Sequence, residues 1–274
     1  MPQLPPKHLS ILGIHMQCMS YADMFRLFDE WLAEKSPRAH TLAVINVQTC
    51  VKALLDRDLR RLYNDADLVG IDSMPFLWLA RVSGCRDADR FYAPDLLVEV
   101  SRVAASRGYT FFLYGGFPGA PDRIQTHLER QFGHIAVVGK LSPPFRELTQ
   151  DEDRAVCDMI NAAVPDFLWV GLGSPKQDRW IHEHRQRLRG CIVVPSGATF
   201  DFFSGRIRQA PRWIRSSGFE WLFRLTQDFG RLWKRYTLYN VFFLFAYALQ
   251  LLRVLTFDGE GYARLFGRQT RFWN

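Results

Sequence analysis

None of the five cysteines (Cys18, Cys50, Cys85, Cys157 and Cys191) falls into a C-x-x-C pair, and their number is odd. A disulfide framework and a zinc ribbon are thereby excluded, and a reducing compartment is expected. G-x-G-x-x-G is missing, which removes the dinucleotide fingerprint, and so is H-E-x-x-H. His182 and His184 stand two apart, so on a helix their rings do not share a face. The opening Met1-Pro-Gln-Leu-Pro-Pro-Lys7 has no apolar h-region, and no secretory signal is expected. Repeats and low-complexity segments are absent. With 274 residues, 23% charged and 48% apolar, the chain is too mixed for a disordered, collagenous or coiled-coil protein. It is long enough to bury a core.

What is there is unevenly spread. Residues 1–205 carry 23 Lys/Arg against 24 Asp/Glu. Residues 206–274 carry 12 against 4, and eleven of the twelve are arginines. Trp213, Trp221, Phe223, Trp233, Tyr236 and Tyr239 are interleaved with them. A basic, aromatic tail points to phosphates, on nucleic acid, at a membrane surface or in a ligand, with a solvated basic face as the plain alternative. Tyr236–Leu252 then runs 17 residues without a charge. As a helix it spans about 25 Å, against ~30 Å for a bilayer core. It reads as an interfacial or membrane-dipping helix; a true span is the lesser option, and a buried core helix stays open.

The first 200 residues alternate apolar runs with helical patterns. Strands are expected at Thr41–Ile45, Leu68–Ile71, Thr110–Tyr114, Ile135–Val138, Phe167–Val170 and Cys191–Val194. Ile11–Ile14 is a further short apolar run. Ser20-x-x-Asp23 and Thr149-Gln-Asp-Glu152 look like capping boxes; the second opens a helix carrying Val156, Met159, Ile160 and Ala163. This pattern predicts an α/β fold: a Rossmann-like parallel sheet with helices on both faces, followed by a basic, aromatic-rich helical appendage. The expected domains are 1–205 and 206–274. Ligands of such sheets bind beyond the carboxyl ends of the strands. That rule selects Asn46, Asp72, Gly115-Gly116, Gly171-Leu172-Gly173 and Gly197.

Each of these segments has a chemical and a purely structural reading. In Gly171-Leu-Gly-Ser-Pro-Lys-Gln177, Ser174 suits an N-cap, Pro175 the first helical position and Gln177 the capping-box return. The same helix start, with Lys176, suits an anion. Asp72 ends its strand as a candidate general base or as a helix cap before Pro75. Gly115-Gly-Phe-Pro-Gly119 is either a turn or a place where backbone amides approach a phosphate. Asp201, among aromatics, is either a core carboxylate or a base or ribose contact. Of the D-x-D triplets, Asp65/Asp67 precedes its strand and Asp151/Asp153 lies in a helix first turn. Only Asp87/Asp89 remains as a metal-binding option.

Taken in order, Asn46, Ala66-Asp-Leu-Val-Gly-Ile-Asp72, Arg90 with Asp95-Leu96, Gly115-Gly-x-Pro-Gly119, Gly171-x-Gly-x-Pro-Lys-Gln177, Gly197-Ala-x-Phe-Asp201-Phe and Gly218-x-Glu-Trp221-Leu-x-Arg224-Leu resemble the WecG/TagA/CpsF glycosyltransferases (family 26), which include xanthan-type, GumM-like β-glucosyltransferases. The resemblance covers about residues 40–240. It implies an inverting, metal-independent transfer from a UDP-sugar (N-acetylmannosamine, its uronic acid, or glucose) to a polyprenyl-diphosphate-linked sugar at the cytoplasmic membrane face, in cell-surface polysaccharide synthesis. It gives Asp72 the role of base, with Arg90 and Gln177 beside it in catalysis. Asn46, Gly115, Gly116, Gly171, Gly173, Lys176 and Asp201 would bind substrate, and Arg224, Arg231 and Arg235 would neutralise phosphate from the appendage. No cofactor, metal or nucleic-acid partner is expected. The sequence departs from the family at Ser73 and Ala93-Pro94, where glycine is usual, at Phe229-Gly230, where proline is common, and at Val44, where threonine is frequent. Two other readings stay open: a non-enzymatic basic adaptor for membrane or RNA, and a nucleotide-dependent oxidoreductase.

Overall fold

The computed structural model describes residues 8–227, 229–257, 263–265 and 268–269; the side chains of residues 231, 234, 235, 263–265 and 268–269 lie outside that description. A hairpin of β1 (His8–Ile11) and β2 (Ile14–Gln17) precedes α1 (Tyr21–Glu34). Strand β3 (His40–Ile45) leads into α2 (Val47–Leu55) and α3 (Arg57–Asn64), and β4 (Leu68–Ile71) into α4 (Met74–Val82) and α5 (Ala93–Arg107). Then β5 (Thr110–Gly115), α6 (Ala120–Phe132), β6 (Ala136–Leu141), α7 (Gln150–Ala163), β7 (Phe167–Gly171), α8 (Lys176–His184), β8 (Ile192–Pro195) and α9 (Gly197–Phe203) alternate. Helices α10 (Arg212–Ser216), α11 (Glu220–Gln227) and α12 (Phe229–Leu251) follow, with β9 (Leu255–Phe257), β10 (Ala263–Leu265) and β11 (Arg268–Gln269) forming a small antiparallel sheet.

The six expected strands form one parallel sheet in the order β4-β3-β8-β7-β5-β6, flanked by helices. Residues 11–14 do not make a strand. Leu12 and Gly13 adopt positive φ and turn β1 into β2, whose register pairs Ile11 with Ile14.

The described residues gather into two compact units. One lies within Tyr21–Ala43 and Phe91–Arg208; the other lies within Met1–Ser20, Val44–Arg90 and Gln209–Asn274. In the first, central strands are apolar at every position because both faces are covered. Phe112, Tyr114, Leu168, Val170 and Val193 face Val156, Cys157 and Ile160 of α7 and Trp180 and Ile181 of α8. Among the alternate residues, Phe167 stacks on Trp169, Phe111 meets both edge-on, and Phe167 meets Phe28 of α1 edge-on at 5.4 Å. The Thr149 capping box is present in full, Thr149 and Glu152 each accepting from the other's backbone N–H. Met159, assigned by spacing to the apolar face of α7, is instead exposed.

In the second unit, α12 is two-faced. Phe243 and Ala246 are buried, and the Phe243 ring packs on Phe76 of α4 at 5.3 Å. Gln250 accepts from Leu12 N at 2.7 Å and donates to Ser10 O at 3.1 Å, so the helix is stitched to the N-terminal hairpin. On the outer side Leu238, Val241, Leu244, Phe245 and Leu251 are exposed. The buried-core reading therefore holds for one face only. The spanning option is not met: among the described residues no helix is long and apolar enough to cross a membrane.

Phe243→Ala is expected to cost about 3–5 kcal/mol in urea unfolding, and Phe245→Ala to stay within about 0.5 kcal/mol. Equal losses would contradict the two-faced packing of α12.

Candidate active site

The polar groups that follow β3 and β4 form the first cluster. Asp72 N donates to Ile45 O at 3.0 Å, which brings the residues after the two strands together. Asn46 caps α2: its Oδ1 accepts from Thr49 N at 3.0 Å, and Thr49 Oγ1 accepts from Asn46 N at 2.8 Å. With the amide oxygen committed to the helix, Nδ2 donates to Asp72 Oδ2 at 3.0 Å. Asp72 is not itself a cap. Ser73 holds the N-cap position of α4, and even its hydroxyl makes no capping bond. Asp72 Oδ1 and Ser73 Oγ are both buried without a hydrogen-bond partner. An orphaned buried oxygen costs about 1–3 kcal/mol, a cost that persists where function retains it.

Burial pushes the Asp72 carboxyl above the ordinary carboxylate range. Arg90, the Asn46 hydrogen bond and Arg224 act against that shift, and Glu220 adds to it. Arg90 reaches Asp72 through the backbone: Nε donates to Asp72 O, Nη1 to Arg215 O at 3.0 Å and Nη2 to Glu220 Oε2 at 3.0 Å. Arg90 therefore holds the peptide that carries the carboxyl. Arg224, half-buried on α11, contributes its charge to Asp72. The backbones of Arg231 and Arg235 belong to α12, and their side chains lie outside the described part.

The second cluster belongs to the other unit. Gly115 ends β5 and Gly116 follows it, both with positive φ, and Gly116 N donates to Gly171 O at 3.0 Å. A Cβ on Gly115 would lie 2.5 Å from the Gly171 carbonyl, and one on Gly171 would lie 2.4 Å from the Phe200 ring. These glycines are required by packing, whatever else they do. Pro175, not Ser174, is the N-cap of α8, and Lys176 is its first residue. Proline offers no side-chain acceptor, so no capping box forms there. Gln177 is buried and turns back instead to Gly173: its Oε1 accepts from Gly173 N at 3.0 Å, and its N donates to Gly173 O at 2.8 Å. Lys176 is exposed, and a Cβ on Gly173 would meet open space. Asp201 is no core carboxylate; it is half-buried on α9, with Arg206 Nη1 3.5 Å away.

Sequence spacing missed two groupings. Glu220, a lone acid between Phe219 and Trp221 in a basic tail, is buried against Arg90. Asp153, Cys157 and His184 converge within 4.8 Å. There Asp153 accepts from His184 Nε2 and Arg187 Nη1, each at 2.8 Å. Burial raises the Asp153 carboxyl, but these bonds outweigh it and hold it below its ordinary value. Burial pushes the Cys157 thiol up to about 11. A carboxylate already paired with a guanidinium and a protonated thiol make a poor cation site. Asp87 and Asp89 converge with no third ligand among the described residues.

A family model described as "Glycosyl transferase WecG/TagA/CpsF family" matches residues 9–256. Over 194 residues, 71% of this chain and 73% of the relative, the sequence is 26% identical to the N-acetylglucosaminyldiphosphoundecaprenol N-acetyl-β-D-mannosaminyltransferase of Bacillus subtilis (strain 168). These matches retire the adaptor and oxidoreductase readings.

Gly171→Ala is expected to lose about 1–3 kcal/mol of stability through overpacking against Phe200, and Phe200→Leu in the same chain to recover part of it. A Gly171→Ala protein as stable as the parent would overturn the close-approach argument.

Proposed function

Because the chain belongs to the WecG/TagA/CpsF glycosyltransferase family, we propose that it transfers a sugar, with inversion, from a UDP-sugar to a polyprenyl-diphosphate-linked sugar in cell-surface polysaccharide synthesis. The observation that carries the chemistry is the Asp72 carboxyl, buried, with Oδ2 held by Asn46 and Oδ1 unpartnered. The acceptor hydroxyl attacks the anomeric carbon, its proton passes to Asp72, and the bond from that carbon to the UDP oxygen breaks. A raised carboxyl suits this role, since a stronger base takes the proton more readily. Inversion of an α-linked donor leaves a β-linked product.

Negative charge develops on the departing diphosphate. Lys176 with the N-terminal turn of α8, and Arg224, Arg231 and Arg235 of the tail, supply positive charge without a metal. Gly115, Gly116, Gly171 and Gly173 let the backbone come close to the donor, and Gln177 orders that loop. Asp201 takes the nucleotide. Residues 1–205 form the catalytic part and 206–274 the appendage. The relative's name makes N-acetylmannosamine the first donor to test and an N-acetylglucosaminyl diphospholipid the first acceptor. N-acetylmannosaminuronic acid and glucose are the alternatives.

A lipid acceptor places the reaction at a membrane, here its cytoplasmic face. The outer side of α12 presents Leu238, Val241, Leu244 and Phe245 in a segment with 12 basic residues, which suits peripheral contact with an anionic surface. Phe245→Glu is expected to release the protein from phosphatidylglycerol vesicles without unfolding it; unchanged binding would remove α12 from the contact.

In a panel of UDP-sugars with EDTA and a polyprenyl-diphosphate-sugar acceptor, one donor is expected to give acceptor-dependent UDP release. A requirement for Mn²⁺ would refute the metal-free mechanism. Asp72→Asn is expected to lower transfer by about 10²–10⁴-fold while UDP still binds. The base works ionised, so kcat/KM falls as pH drops through its pKa. The acid limb is therefore expected above the ordinary carboxylate range and absent in Asp72→Asn. Full activity in that variant would sink the base assignment.

A further inference from the structure

We propose that Glu220 is a positioning residue for the transfer: through Arg90 it locks the Asp72 peptide in place and seats α11, with Arg224, beside the Asp72 carboxyl. This rests on the reading of Asp72 as the base. Three observations carry it. Glu220 is buried, although it opens an exposed helix in a tail of 12 basic and 4 acidic residues. Its carboxylate accepts from Arg90 Nη2 at 3.0 Å, with both side chains largely out of water. The same guanidinium donates to the carbonyl of Asp72 and, at 3.0 Å, to that of Arg215 near the end of α10.

One planar fork thus joins the strand end that bears the carboxyl to two helices more than 120 residues further along the chain. Removing one partner of such a pair strands the other charge, so the link is strong once made. The fork also fixes orientation, which a lysine would not do. The link has an electrostatic side. The chief charged groups acting on Asp72 are Arg90 and Arg224, which favour its ionised form, and Glu220, which opposes it. Glu220 therefore offsets Arg90 and keeps Asp72 basic enough to accept a proton.

The test is the pH profile of kcat/KM in Glu220→Gln and Glu220→Ala, beside Asp72→Asn. Glutamine keeps an oxygen for Arg90 and removes the charge, so the acid limb is expected to move to lower pH. Alanine releases the tether; kcat is expected to fall roughly a hundredfold at every pH, with the fold retained by circular dichroism, and Glu220→Asp to restore part of it. An acid limb unmoved in Glu220→Gln overturns the proposal, even if Glu220→Ala is inactive or unfolded, since a merely structural contact predicts that result. If Asp72→Asn is fully active, the underlying reading fails; if it is inactive while the Glu220→Gln limb stands still, the role of Glu220 alone fails.

Discussion

A carboxyl taken out of water must be compensated or it protonates, and the arrangement around Asp72 follows from that constraint. Asn46 satisfies one carboxyl oxygen and can do so because its own amide oxygen is spent on capping α2. Arg90 compensates the charge from the backbone side, bonding the Asp72 carbonyl and leaving Oδ1 unpartnered. Arg90 is in turn balanced by Glu220, which commits α11 to the same cluster. The result is a carboxyl held firmly, raised by burial, with one oxygen left unpartnered.

The glycine-rich strand ends answer a different demand. In a parallel sheet covered on both faces, β5 and β7 finish side by side, and Phe200 packs across them. Side chains at Gly115 and Gly171 have no room, so packing alone accounts for these glycines. The proposed approach of a diphosphate would use the same geometry, since backbone without side chains is also backbone that a ligand can come close to. Gln177 extends the logic by holding Gly173 from both its oxygen and its backbone N–H.

The tail serves two surfaces. Inward, Phe243, Ala246 and Gln250 bind α12 to protein, and Gln250 satisfies the hairpin turn at Leu12. Outward, Leu238, Val241, Leu244, Phe245 and Leu251 of α12 are exposed. A helix apolar on both sides but only partly buried is poorly suited to water alone and well suited to an interface.

Much of this was legible in local pattern. Apolar runs separated by helical periods located all six strands of the main sheet, although β6 extends to Leu141, beyond the expected Val138. Asn46, Asp72, Gly115 and Gly171 were marked simply by standing where strands end, and the Thr149–Glu152 cap was readable because its partners are three residues apart. Local pattern failed where the partner was distant. Asp153 found His184 31 residues away, and Arg90 found Glu220 across 130 residues; one miss was local, where Pro175 took the cap expected of its neighbour Ser174. By itself the sequence determined the α/β order, the strand-end candidates and the charge of the tail, because periodicity, capping and net charge act over a few neighbours. Tertiary structure decided which charges meet, which glycines are crowded and which side of α12 is buried, because those depend on chain segments that only folding brings together.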